Sequence, residues 1–148
     1  MLSVIVDARG EARRLPALLA QLTAAAVEGL IKEVFLVAPH SDAVAAICEE
    51  MGAEPADTIE QALAWAKSEL VLVAAPELRL RDGWVEALGE HLASGGGSAL
   101  VEGVGGGGLF GKRPPYGVLV ERGRVARLED PDLKRLRRQL GLRPLRVG

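Results

Sequence analysis

Leu2-Ser3-Val4-Ile5-Val6, running directly into Asp7-Ala8-Arg9-Gly10-Glu11, is the stretch that decides the fold class. Five successive small or apolar residues, rich in Val and Ile, suit a strand covered on both faces, as strands of parallel sheets are. Downstream, Leu15, Leu18, Leu19, Leu22 and Ala26 recur every three or four residues, which makes one apolar helical face. Pro16 falls near the start of that helix, where its missing N–H matters least. Strand, charged turn and helix are the opening of a βαβ unit.

The alternation continues. Val34–Val37 reads as a second buried strand, followed by a helix from about Asp42, which can cap it, to Met51, with Gly52 as a natural stop. Ile59–Ala66 reads as a short helix capped by Asp57 or Thr58. Leu70–Val73 is the next strand, and Trp84–Leu92, preceded by Asp82, the next helix. This order predicts an α/β fold, an open and mostly parallel sheet with helices on both faces.

After Ser94 the texture changes. Residues 95–117 are rich in glycine and close with Pro114 and Pro115, so a loop or a set of short, bent strands is expected there. Val118–Val120 and Val125-Ala126 suggest a hairpin turning at Glu121–Arg124, with Gly123 in the turn. A last helix is expected over Asp132–Leu140, stopping at Gly141. No internal repeat or linker interrupts the chain, so residues 1–148 read as one domain.

Composition narrows the function classes. Hydrophobic residues make up 49% of the chain but aromatics only 3%, so Ala, Leu and Val must build the core. The net charge of −2 gives no concentrated basic footprint for nucleic acid. Lys134, Arg135, Arg137, Arg138, Arg143 and Arg146 cluster near the C-terminus and read as a solvated helix face. Cys48 is the only cysteine, which suits a reducing cytoplasm and a small core residue. No segment has the pattern of a signal peptide or a membrane span. A cytoplasmic protein is expected, with the basic tail able to touch a membrane surface.

In open α/β sheets ligands bind beyond the carboxyl ends of the strands. The segments Asp7–Glu11, Ala38–Asp42 and Ala74–Arg79 follow the three long strands and are the candidates to line one crevice. Glu77 stands where it can meet a hard divalent cation. Glu129 and Asp130 precede the last helix and Asp132 lies close behind, where the dipole favours carboxylates even without a catalytic role. Other signals fail. Gly111-Lys112 is followed by Arg113-Pro114-Pro115 and not by the Ser or Thr of a phosphate loop. His40 and His91 have no partners at metal-ligand spacing, and neither Ser41 nor Ser98 sits in a nucleophile elbow.

Four ordered segments together resemble the family 2 glycosyltransferases of GT-A fold, nearest to their small bacterial members. Ser3-Val4-Ile5-Val6-Asp7-Ala8-Arg9-Gly10-Glu11-Ala12, with Arg14-Leu15-Pro16, is similar to their opening strand and loop. Glu33–Val37 through Ser41-Asp42, Ile47 and Met51-Gly52-Ala53 is similar to their second strand and helix. Leu70–Ala75, Glu77, Arg79-Leu80 and Gly83-Trp84 resemble the segment with the metal-binding D-x-D, and Glu129-Asp130-Pro131-Asp132-Leu133-Lys134-Arg135-Leu136-Arg137-Arg138, with Gly141, resembles E-D-x-D-L-x-x-R-L.

The resemblance implies a GT-A-like fold and transfer of a sugar from a nucleotide-sugar donor to an acceptor hydroxyl. It assigns Asp130 as general base, Glu77 as ligand of a divalent metal (Mn or Mg), and Asp7, Arg9, Glu11, Ser41 and Asp42 as donor-binding residues. The chain departs from the pattern at Ala75, the first D-x-D position, at Ala38-Pro39, where acids usually stand, and at Asp7 and Gly10, in place of Pro and Asn. Those departures keep a second expectation alongside the first: a catalytically inactive relative that binds a nucleotide or a protein partner. A nucleotidyltransferase of related architecture is a weaker third, because the first loop lacks a Gly-rich turn ending in a basic residue. The residues name neither donor, acceptor nor oligomeric state, and a homo-oligomer is compatible with them.

Overall fold

The computed structural model describes residues 1–9, 12–105, 115–125, 132–140 and 144–145. Six strands, β1 (Leu2–Asp7), β2 (Ile31–Val37), β3 (Glu54–Ala56), β4 (Leu70–Ala74), β5 (Ala99–Glu102) and β6 (Tyr116–Glu121), form one sheet in the order β3-β2-β1-β4-β6-β5. β1 to β5 point the same way, and β6 runs antiparallel between β4 and β5. Between and after them lie α1 (Leu15–Val27), α2 (Asp42–Met51), α3 (Ile59–Trp65), α4 (Trp84–Ala93), the four-residue α5 (Arg122–Val125) and α6 (Leu133–Leu140). The mostly parallel α/β sheet expected from the apolar runs is the one found.

Alternation along the strands divides the core in two. On one face Val4, Val6, Leu36, Leu72 and Leu119 pack with Leu15, Leu18 and Leu22 of α1, Val44 and Cys48 of α2, and Leu88 of α4. On the other, Ile5, Phe35, Val71, Val73 and Val118 pack with Ile59, Ala62 and Leu63 of α3 and with Leu136 of α6. Each fully buried Leu or Phe contributes about 1.5–3 kcal/mol. Helices therefore cover both faces. Cys48 is a buried core residue, as its place on an amphipathic helix suggests, and burial pushes its thiol pKa up.

Two local expectations change, and one left open between two residues is decided. The hairpin over Val118–Ala126 is not formed within the described residues: β6 pairs instead with β4 and with β5, and the chain turns into α5 at Arg122. Val118, Leu119 and Val120 are fully buried, so the backbone N–H and C=O groups of β6 need partners on each side, and Ala99–Glu102 from the Gly-rich stretch supplies one set. The cap of α2 is Ser41, whose Oγ accepts from the Val44 N–H at 3.2 Å, so Asp42 becomes the first helical residue. Thr58, and not Asp57, caps α3 by accepting from the Gln61 N–H. Gly52 does end α2, in the left-handed conformation at φ 74° that glycine tolerates best.

Candidate functional site

The strands that carry the candidate loops end level with one another. Asp7 pairs with Val37 across β1 and β2, and Val6 pairs with Ala74 across β1 and β4. The Ala8 N–H donates to the Val37 carbonyl at 2.9 Å, which ties the first loop to the end of β2. Asp7 closes β1 with both carboxylate oxygens engaged: Arg9 Nε and Nη2 donate to Oδ1 and Oδ2, each at 2.7 Å. This bidentate pair leaves Asp7 and Arg9 close to neutral as a unit. Next to it, the β2–α2 connection turns through His40 at φ 60°, a left-handed residue, before Ser41 caps the helix and exposed Asp42 begins it. The Ser41 hydroxyl thus already has a structural task.

Glu77 sits beyond β4 in a braced turn. The Leu78 N–H donates to the Ala75 carbonyl at 3.1 Å, and the fully buried Leu78 side chain anchors the turn from below. Arg79 Nη1 donates to the Pro76 and Leu78 carbonyls, both at 2.7 Å, and Gln21 of α1 bonds both backbone groups of Leu80. The chain leaving β5 crosses close by, with the Val104 N–H on the Arg79 carbonyl at 2.7 Å. Only glycine fits at position 103, since a Cβ there would lie 2.7 Å from the Arg79 carbonyl oxygen and from a Leu78 methyl.

Half-buried Glu77 lines a cleft of about 580 Å³ whose other described walls are Pro115, Tyr116, Leu133, Lys134, Arg137 and Arg138. The cations come from α6, where spacings of three and four residues put Lys134, Arg137 and Arg138 on one face. Leu136 points the opposite way and is fully buried, which fixes the helix against the sheet. The Arg137 guanidinium carbon lies 4.4 Å from the centre of the Tyr116 ring, a cation–π contact that orients it over the cleft. Asp132 accepts from the Arg135 N–H at 2.7 Å and so caps α6.

The expected site residues therefore fall into two groups on the same edge. Asp7, Arg9, Ser41 and Asp42 stand at the ends of β1 and β2, whereas Glu77 stands in the cleft beside β4 and β6. Glu11 and Asp130 lie outside the described residues. Among the described residues no group of three or more His, Cys, Asp and Glu side chains gathers as a metal-binding set. Magnesium and manganese take about six ligands, mostly hard oxygens, and one carboxylate beside three cations is a poor fit for a protein-held ion. Tyr116 and the α6 cations are absent from the sequence-based site. Their basic cluster reads locally as a solvated face; the usable signal was that three of its members share one side of a helix whose other side carries Leu136.

Comparison with known proteins bears on the fold. No protein-family model and no curated protein matches the sequence. Two crystal structures of 4-diphosphocytidyl-2C-methyl-D-erythritol synthase are similar to it. The one from Anaerococcus prevotii DSM 20548 is 14% identical with a TM-score of 0.56, over 96% of this chain and 84% of that one. The other is 15% identical with a TM-score of 0.57, over 99% and 87%. The fold is GT-A-like. At such identity the likeness carries the architecture and no more, since function resides in the site. Among the described residues no helix is long and apolar enough to cross a membrane.

Proposed function

We propose that this protein is a nucleotide-binding transferase whose donor, a nucleoside diphosphate sugar, lies along the carboxyl edge of the sheet with its diphosphate in the cleft between Glu77 and α6. The observation that carries this reading is the meeting of Lys134, Arg137 and Arg138 with Glu77 at the edge where open α/β sheets take ligands. Asp7, Arg9, Glu11, Ser41 and Asp42 are the residues proposed to hold the nucleoside half. In the finer form of the reading, an acceptor hydroxyl attacks the anomeric carbon. Its proton passes to the Asp130 carboxylate as the new C–O bond forms. The bond from the anomeric carbon to the diphosphate breaks, and its electron pair leaves with the nucleoside diphosphate.

A second reading, a relative that binds without turnover, is favoured by Ala75 and by Ala38-Pro39, which leave the edge poor in carboxylates. One experiment separates the two. UDP-, GDP- and CDP-sugars and the nucleoside triphosphates are incubated with wild-type protein and with Asp130→Asn, and the products are resolved by chromatography. Nucleoside diphosphate release that falls at least about a hundredfold in Asp130→Asn, on the scale of general-base catalysis, supports sugar transfer. Equal release by the two proteins removes Asp130 from its role. Diphosphate release from a triphosphate would mean nucleotidyl transfer instead. Saturable binding with no product supports the inactive relative, and no binding of any nucleotide overturns the whole reading.

A further inference from the structure

We infer that the cleft binds the diphosphate of its ligand without a divalent metal, Lys134, Arg137 and Arg138 supplying the positive charge. The inference rests on the proposed nucleotide reading and specifies how that site works. Among the described residues, three cationic side chains against one carboxylate make the lining net positive. A free divalent cation entering such a cleft is repelled, whereas a diphosphate finds a complementary surface. Among the described residues, none of these three cations has a carboxylate within ion-pairing distance.

The helix that carries the cations is fixed, and one of the three side chains is held in advance. Leu136, fully buried under α6, fixes the helix, and the Tyr116 ring fixes the Arg137 guanidinium. Preset donors need little reordering when an anion arrives, and a planar guanidinium matches two phosphate oxygens at once. Glu77 repels the phosphates, so its place in the cleft suits a ligand hydroxyl, whose proton its carboxylate accepts. The diphosphate then lies against α6, and a sugar or ribose hydroxyl turns toward the β4 edge.

The test is isothermal titration of the full chain with UDP, GDP, CDP and inorganic diphosphate, in EDTA and again with Mg²⁺ or Mn²⁺. The expected result is binding in EDTA with a Kd within about threefold of that in metal. The double variant Arg137→Gln/Arg138→Gln should weaken binding about tenfold or more per guanidinium, the scale of a charge-assisted hydrogen bond, with its circular dichroism melt unchanged. Nucleotide binding that appears only with metal overturns the inference and leaves the nucleotide reading standing, whereas a double variant that binds as wild type overturns the inference and with it the placement of the diphosphate against α6. Inorganic diphosphate bound in EDTA while every nucleotide fails would keep the anion site and overturn the nucleotide reading. Failure of all four compounds under both conditions overturns both.

Discussion

The two edges of the sheet treat their polar groups in opposite ways. At the amino edge the fully buried Ser3 hydroxyl donates to a Glu33 carboxylate oxygen at 2.6 Å and accepts from the Ser68 N–H at 3.3 Å. The Lys67 N–H donates to the same Glu33 oxygen at 2.6 Å. This network joins β1, β2 and the approach to β4, and its members satisfy one another. At the carboxyl edge, Lys134, Arg137 and Arg138 line an open cleft with no carboxylate partner among the described residues. One edge uses polarity to hold strands together; the other presents it outward. What sets the carboxyl edge apart is a helix fixed by packing whose cations no described carboxylate neutralises.

That contrast can be broken by mutation. The largest expected effect is from Leu136→Ala, which removes a fully buried side chain beneath the cationic wall. It should cost about 2–5 kcal/mol in urea unfolding and weaken nucleotide binding with it. An unchanged midpoint would mean that α6 is not built into the core. Gly103→Ala should cost about 1–3 kcal/mol, because the new methyl meets the Arg79 carbonyl oxygen at 2.7 Å. Ser3→Ala should cost about 1–3 kcal/mol by leaving the Ser68 N–H and Glu33 short of a partner. Unlike Leu136→Ala, it should leave nucleotide affinity unaltered by calorimetry, and a loss of affinity would erase the distinction between the edges. Smallest of all, Lys134→Gln should change stability by no more than about 0.5 kcal/mol. It should also flatten the fall of affinity between low and high salt, since an exposed charge acts through a screened field.

The parts of the fold legible in the sequence were those with strong local signals. Leu2–Val6, Val34–Val37 and Leu70–Val73 are apolar on both faces, and that pattern has few readings other than a buried strand. The pairing of Ala99–Glu102 with Tyr116–Glu121 was not legible, because glycines hide the first strand and the choice of partner is made by tertiary contact. The same limit governs the caps: Ser41 and Asp42 are adjacent cap formers, and only the backbone of Ser41, extended at φ −100° and ψ 109°, takes the role. For the site, placing Asp7, Arg9 and Glu77 on one edge followed from the strand ends alone. The α6 cations could not be found that way. Periodicity says that Lys134, Arg137 and Arg138 share a face, but whether that face meets solvent or a cleft depends on the loop beyond β4.

The reversed strand β6 has an effect on how the carboxyl edge is held. Because β5 ends and β6 begins at the same edge, Glu102 pairs with Tyr116, and the Gly103 N–H reaches the Pro115 carbonyl at 2.8 Å. The two described ends of the connection therefore stand together, and Pro115 and Tyr116 also line the cleft. Strand register on either side of the connection is therefore set by the pairing of β5 with β6 and not by the residues that join them. The antiparallel turn-back thus works as a clasp, which holds both ends of the connection at the carboxyl edge whatever lies between them.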